Sequence, residues 1–484
     1  MNRSDSERID SLMRSSGFKP ALQDRANILI LNLCSVRQSA IDRAWGKIHQ
    51  FKKKTKVNSG SRFAKRHRDN QKIILTGCIL PADKKKFQNK VDLILDIKNL
   101  PNWPEILNQQ FNNETVKQWN NETKINYLRI PPTRQTSFSA YVPIMTGCNN
   151  FCSYCAVPYT RGREQSRPVK DIIQEVYTLI IRGYKLIILL GQNVNSYKDA
   201  VKNGFKIKNF HPAGDPPSTN LNYSRENLAE KFKIQKNTVN FPTLLKMIDR
   251  IPGNYWLSFI TSHPKDMSDE LIKCFKTCKH LIPYLHLPMQ SGSDKILKAM
   301  NRKYAAADYL KLIQKIRRVN RDISISTDVI VGFPGETKKD FQATAKLMKK
   351  IKFDMAYIAQ YSPRPGTTAA KLKDDVSAIE KASRRTALNE ILKKTALKNN
   401  QKLIGQTTEA LVESTEDNFA FGRTKMMKNV KIKIESKNQN LIGQFVDVKI
   451  IKATAWNLEG ELARVFPSPL APLPLYGRGV GVRV

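Results

Sequence analysis

The stretch Cys148-Asn149-Asn150-Phe151-Cys152-Ser153-Tyr154-Cys155 sets three thiols at CxxxC and CxxC spacing. It directly follows a strand-like run, Ala140-Tyr141-Val142-Pro143-Ile144-Met145. Three soft thiolates this close can all reach one metal centre, yet they are one fewer than a closed structural zinc site takes. Three protein ligands suit an iron–sulfur cube whose remaining iron stays open to a substrate or cofactor. A zinc site completed by a distant histidine, or a set of inert buried cysteines, are the other readings of the same residues. Clustered cysteines in an intracellular chain serve as ligands or redox groups more often than as a disulfide framework.

Upstream, apolar strand-like runs alternate with amphipathic helix-like ones, the pattern of an α/β domain. Ile28-Leu29-Ile30-Leu31-Asn32-Leu33 ends at Cys34, Lys72-Ile73-Ile74-Leu75-Thr76-Gly77 ends at Cys78, and Val91-Asp92-Leu93-Ile94-Leu95-Asp96 is a third strand. Both cysteines fall just past the carboxyl ends of parallel strands, where open α/β sheets bind ligands; a lone cysteine is otherwise a small buried hydrophobe. From Leu100 to Gln135 the chain is rich in Asn, Gln, Lys and Pro, which predicts a linker with a short helix at most.

Downstream, strand and helix patterns alternate. Lys185–Leu190, Tyr255–Ile260, Tyr284–Met289, Ile323–Val331 and Met355–Gln360 read as strands. With the run before Cys148 they make about six, a partial barrel rather than a closed eightfold one. Its strand ends carry polar loops containing Gly191, Gln192 and Asn193, then Ser262, then Gln290 and Ser291, then Gly332. Their amides, hydroxyls and close backbone could hold the amino and carboxylate groups of an amino-acid cofactor, or be ordinary turns. Cys274 and Cys278 share a helical face and are expected buried, and His263 is expected to hydrogen-bond within its loop. The polar stretch between Tyr197 and Phe241 reads as a surface loop. After Leu403, short strand-like runs with Gly422, Gly443 and Gly460 at turns predict a small antiparallel β-barrel of a kind that binds nucleic acid. The Pro- and Gly-rich tail beyond Phe466 is not expected to pack.

The chain of 484 residues carries 82 Lys and Arg against 42 Asp and Glu, a net charge of +40. So large an excess favours a polyanionic partner, nucleic acid first, over a merely solvated basic surface. No apolar run approaches the roughly eighteen residues needed to cross a bilayer, and the amino terminus is too polar for a signal peptide, so the expected location is cytoplasmic with no membrane partner.

Cys148, Cys152 and Cys155, with Tyr154 just before the last, resemble the cluster loop of radical S-adenosylmethionine (SAM) enzymes. The continuation from Ala156 to Pro168 resembles the methylthiotransferases, and within them those that modify transfer RNA. Asn32-Leu33-Cys34-Ser35-Val36-Arg37 and Thr76-Gly77-Cys78 resemble two cysteine motifs of that family's amino-terminal domain, and Phe421-Gly422-Arg423-Thr424 with Gly443-Gln444 resemble its TRAM domain. The four barrel loops, Met300-Asn301-Arg302-Lys303-Tyr304 and Tyr361-Ser362-Pro363-Arg364-Pro365-Gly366-Thr367 also follow the family pattern.

The resemblance implies an α/β fold. Its parts are an amino-terminal methylthiotransferase domain (1–100), a linker (101–136), a partial (β/α)6 radical SAM barrel (137–402), a TRAM β-barrel (403–466) and a tail (467–484). It implies two [4Fe-4S] clusters, one on Cys148, Cys152 and Cys155 and an auxiliary one on Cys34 and Cys78. It implies SAM near Gly191, Gln192, Asn193, Ser262, Gln290, Ser291 and Gly332. The implied partners are a tRNA anticodon stem-loop, a sulfur donor of unknown identity and an electron donor such as a flavodoxin or ferredoxin, with the protein a monomer. The implied activity is 2-methylthiolation of N6-dimethylallyladenosine. Val157-Pro158-Tyr159-Thr160-Arg161-Gly162 and Gln192-Asn193-Val194-Asn195-Ser196-Tyr197 favour that substrate over threonylcarbamoyl-adenosine in tRNA or a ribosomal-protein aspartate. In the family a further auxiliary cysteine lies just before a Met-Asn step, and this sequence opens at Met1-Asn2-Arg3, inside that loop. A mis-assigned start is the expectation, tested by an in-frame upstream cysteine codon; a degenerate, non-catalytic RNA-binding homologue is the alternative.

Overall fold

The computed structural model describes residues 1–22, 25–35, 38–57, 71–111, 126–200, 238–435 and 440–466. The amino-terminal segment builds a parallel sheet from β1 (Ile28–Cys34), β2 (Lys72–Cys78) and β3 (Leu93–Ile94), with β2 in the middle. Alternate side chains of β1 and β2 feed two cores, as the two-residue repeat of a strand requires. Ile74 packs with Leu12, Trp103 and Leu107, while Leu31, Leu33, Ile73 and Leu75 pack with Ile41, Ile48 and Phe51. The register sets Cys34 directly beside Cys78.

The expected linker is packed rather than free where it is described. The helix Trp103–Phe111 and the residues Tyr127, Leu128 and Ile130 join the same core as Leu12. Trp103 and Leu107, one turn apart, give that helix an apolar stripe that the prolines and amides around it obscure in the sequence. Residues 112–125, the insertion over 201–237 and the tail over 467–484 lie outside the described residues.

After β4 (Ser139–Pro143), the short antiparallel pair β5 (Met145–Thr146) and β6 (Gln165–Ser166) brackets the cysteine loop. Then follow β7 (Leu186–Leu190), the pair β8 (Lys198–Ala200) and β9 (Thr238–Asn240), β10 (Trp256–Phe259), β11 (Tyr284–His286), β12 (Ser324–Val331) and β13 (Met355–Gln360). β4, β7 and β10 pair in parallel, as do β11, β12 and β13, and a bridge between Leu257 and Leu281 joins the two triplets. The result is the expected open (β/α)6 barrel, its helices packed on Ile187, Leu189, Leu257, Leu285, Ile325 and Val329.

The remaining strands, β14 (Thr407–Glu416), β15 (Phe419–Thr424), β16 (Asn429–Lys433), β17 (Phe445–Ala453) and β18 (Asn457–Val465), close into a small barrel in the order β14-β15-β16-β18-β17. Gly422 and Gly460, expected at turns, instead lie inside β15 and β18. A Cβ at Gly422 would strike the Leu411 carbonyl oxygen, and one at Gly460 would meet Lys449 O at 2.6 Å, so glycine there permits strand approach rather than reversal. Of the three glycines, Gly443 alone marks a turn, with φ +80.

This small barrel is seated on the large one. Leu411 and Phe445 pack with Phe138, Leu186, Trp256 and Ile282 at the amino-terminal ends of the large barrel's strands. Trp256 Nε1 donates to Glu409 Oε1 (2.6 Å), and Lys428 pairs with Asp354 (2.7 Å).

Candidate active site

The cysteine loop lies across the carboxyl ends of the barrel strands and is pinned by residues far away in sequence. Ser153 N–H donates to Met300 O (3.0 Å), Ser153 Oγ to Ala299 O (2.8 Å), Ala369 N–H to Ser153 O (2.8 Å) and Asn301 Nδ2 to Phe151 O (2.9 Å). Phe151 (φ 47) and Asn301 (φ 56) are held in left-handed conformations that a free chain avoids, so neighbours impose the loop's shape. Gly147 (φ +75) begins the loop, and a Cβ there would run into the Arg163 carbonyl. Gly147→Ala is therefore expected to cost about 1–3 kcal/mol and to lower the protein's iron content, measured by thermal melting and metal analysis.

Cys148 and Cys152 are buried and Cys155 is half-buried. Burial pushes the Cys148 thiol above its ordinary value and Cys155 up to about 12, and neighbouring thiols add to both. Thiols so placed ionise when a cation takes the proton's place. Arg302 already offers positive charge: its Nη1 lies 3.4 Å from Cys152 Sγ, while Nη2 donates to Pro288 O (3.1 Å) and Nε to the Tyr304 hydroxyl (2.9 Å). Among the described residues no three His, Cys, Asp or Glu side chains converge as they would on a single ion such as zinc. The three protein sulfurs of a cube each bind a different iron and need no such convergence. A donor set of three thiols, without carboxylate or imidazole, fits that group.

The loops expected to hold SAM divide into two kinds. Asn193 Oδ1 and Ser262 Oγ are buried with no hydrogen-bond partner, although Asn193 Nδ2 donates to Asp266 (2.7 Å). Buried polar atoms without a protein partner can pair with a ligand group or an ordered water. Thr261, beside Ser262, has φ 72 and ties its loop to the Gly191 carbonyl (2.7 Å), and Gln290 has φ 68. By contrast, Ser291 is spent on Thr344 (3.2 Å) and Ser293 N–H, and Gly332 donates its N–H to Glu336 (2.6 Å). A Cβ on Gly332 would strike the Lys381 side chain, and one on Gly191 would meet Met145 Cγ at 2.6 Å, so both glycines make room for the protein itself. Gln192 is half-buried in the same loop as Asn193. His263 stays within its loop, accepting from Lys265 N–H (3.2 Å); burial, with Arg302 and Lys265 nearby, lowers it to about 2, so it is neutral. Cys274 and Cys278 are both buried, as expected.

Arg161, at the end of the helix Val157–Arg161 that follows the loop, connects it to the second pair of cysteines. Its Nε lies 2.8 Å from Cys78 Sγ and its Nη2 donates to Asp5 (2.5 Å) and Asn2 Oδ1 (3.0 Å). The Cys78 thiol is pushed up by its hydrogen bond with Cys34 and by burial, against the pull of Arg161. Ser35 and Thr76, each next to or near one of these cysteines, keep buried hydroxyls without partners. That polar, cation-flanked pocket fits a group presenting sulfur acceptors. Arg161 and Arg302 both belong to family-like motifs, but their sulfur partners stand 83 and 150 residues away, a separation no local pattern reports.

A model of the Radical SAM superfamily matches residues 142–348, one of uncharacterized protein family UPF0004 residues 1–96, and one of the TRAM domain residues 401–463. The chain is 37% identical over 474 residues to a tRNA-2-methylthio-N(6)-dimethylallyladenosine synthase of Clostridium novyi, covering 96% of this chain and 94% of that one. It is also 37% identical to a protein of the same name from Carboxydothermus hydrogenoformans, covering 96% and 97%. The chain therefore belongs to the radical SAM methylthiotransferase family, with the tRNA-2-methylthio-N(6)-dimethylallyladenosine synthases.

Proposed function

We propose that this protein converts N6-dimethylallyladenosine in the anticodon loop of tRNA to its 2-methylthio derivative. The observation that carries the reading is the three-thiol loop backed by Arg302, placed over a barrel in the same chain as a TRAM domain. The near full-length likeness to synthases of that name supports the choice of substrate. In this reading Cys148, Cys152 and Cys155 hold one [4Fe-4S] cluster, and Cys34 and Cys78 contribute to the auxiliary one. When bound, these clusters supply the electron that cleaves SAM and the sulfur that is transferred. Asn193 and Ser262 orient the amino-acid end of SAM through the buried atoms that otherwise lack partners. Arg302 and Arg161 hold positive charge against Cys152 and Cys78. Leu411 and Phe445 close the amino-terminal mouth of the barrel against water. A flavodoxin- or ferredoxin-type donor delivers the electron, and the chain acts as a monomer.

The direct test is mass spectrometry of tRNA nucleosides from cells lacking the protein. The methylthio nucleoside should vanish and N6-dimethylallyladenosine accumulate; an unchanged profile overturns the proposal. RNA holding is assigned to the TRAM surface, where Lys431 Nζ sits 3.7 Å over the Phe419 ring and Lys433 is exposed beside it. Reversing both charges, K431E with K433E, should weaken RNA binding and lower its salt slope by roughly one for each phosphate no longer neutralised, while SAM cleavage persists. Deleting the whole domain is a poorer test, because it also strips Trp256 and Asp354 of their partners.

A further inference from the structure

Residues of β11, β12 and β13 that alternate with the helix-facing Leu285, Ile325, Val329 and Ala356 point into the barrel lumen. They are Tyr284, His286, Ser326, Asp328 and Tyr357. Across the lumen the facing side chains include the apolar Ile188, Leu190 and Trp256, with Ser258 beside them. Asp328 is thus the one carboxylate among these lumen-facing residues, in a protein of net charge +40. It is rigidly held. The Tyr284 hydroxyl and Ser326 Oγ lie 2.8 Å apart, Ser326 Oγ lies 2.9 Å from His286 Nδ1, and His286 Nε2 lies 3.3 Å from Asp328 Oδ2. The chain orients the His286 ring so that Nε2 faces Asp328 Oδ2 and holds that carboxylate in place.

Asp328 Oδ1 has no hydrogen-bond partner among the described residues, and the side chain keeps 36% of its surface exposed. Tyr357 stands against the His286 ring (centroids 6.0 Å apart) and is 53% exposed. One pleat further along β12, on the same face, Ile330 packs into the same apolar cluster as Tyr154 of the cysteine loop. Asp328 and Tyr357 therefore offer an acceptor and an aromatic face roughly one strand repeat, about 7 Å, beneath that loop.

We propose that this pair reads the target base: Asp328 accepts the single N6–H of an N6-alkylated adenine while Tyr357 stacks on the purine. The inference rests on the proposed function and adds the specificity element to it. Adenine's ring nitrogens are acceptors, so after alkylation the N6–H is the only edge donor a carboxylate can meet. A base with O6 would set acceptor against carboxylate and be rejected.

The test uses reconstituted holoenzyme and two anticodon stem-loop RNAs, one bearing N6-dimethylallyladenosine and one whose N6 carries an added methyl and so lacks the N–H. Wild type should prefer the first in kcat/KM by roughly 10- to 100-fold, the worth of a hydrogen bond to a charged group. D328N keeps the side chain's shape, but its oxygen pairs with His286 and its NH2 faces the base, so the preference should fall to about one or below. D328A, with the acceptor removed, should also bring it to about one. A D328N enzyme that keeps the wild-type preference, or loses both RNAs equally, overturns the proposal. If wild type converts neither RNA, it is the proposed function that fails.

Discussion

Cys152→Ala is expected to abolish SAM cleavage, with or without RNA, and to remove about four irons per chain, one cube's worth. Cys152 is the middle thiol of the three-cysteine loop, is buried, and is the thiol that Arg302 faces at 3.4 Å. Its loss leaves two thiols to anchor a group that needs three. It also leaves the guanidinium of the buried Arg302 aimed at a methyl group. The Arg302→Gln change separates the two contributions: the three thiols remain, the cluster should still assemble, and activity should fall by about 10- to 100-fold, the range for a group that supports a metal ligand. Iron analysis, absorbance of the reconstituted protein and 5′-deoxyadenosine release distinguish the cases. Full cleavage by Cys152→Ala would sink the assignment of this loop.

How much of this was legible beforehand depended on how local each feature is. The ligand loop and the six barrel strands were readable because ligand spacing and two-residue alternation are short-range patterns. The register that sets Cys34 beside Cys78 followed from two similar strands ending in the same residue type. The strands β15 and β18 were missed because each carries a glycine, and glycine reads as a turn until a neighbouring strand is seen to need the space. Arg161, Arg302 and the chain from Tyr284 to Asp328 were invisible as sites, since each depends on contacts between elements distant in sequence. Among the expected SAM loops, Asn193 and Ser262 keep buried atoms without partners, whereas Ser291 turns inward to Thr344. A serine's residue type alone cannot say which way it will turn.

The largest stability effect should come from Glu175→Ala. Glu175 sits on the helix Val169–Ile181 of the large barrel and is met by Arg167 from the same domain, Arg134 from the segment before β4, and Arg8 at 3.9 Å from the first helix of the amino-terminal domain, Asn2–Ser15. Glu7 adds a second carboxylate 3.7 Å from Arg134. Burial alone would raise the Glu175 carboxyl, but the three guanidinium groups, Arg167 foremost, hold it below the ordinary glutamate value of 4.5. Its stabilising contribution is therefore complete above that value and drains away as pH falls through the more acidic folded value. Removing the carboxylate leaves three largely buried cations with one ion-paired carboxylate, Glu7, between them, and breaking such a cluster from one side costs about 3–5 kcal/mol. The exposed pair Lys315–Asp269 should by contrast be worth less than about 1 kcal/mol. Because Glu175 joins three segments, its removal should appear as separate melting of the amino-terminal domain in calorimetry, and as faster proteolysis between the helix Trp103–Phe111 and β4. Added salt should rescue little of it, since the charges are shielded from solvent. A variant that melts as one unit at the wild-type temperature would mean that the apolar packing of the first helix, not this charge cluster, holds the two domains together.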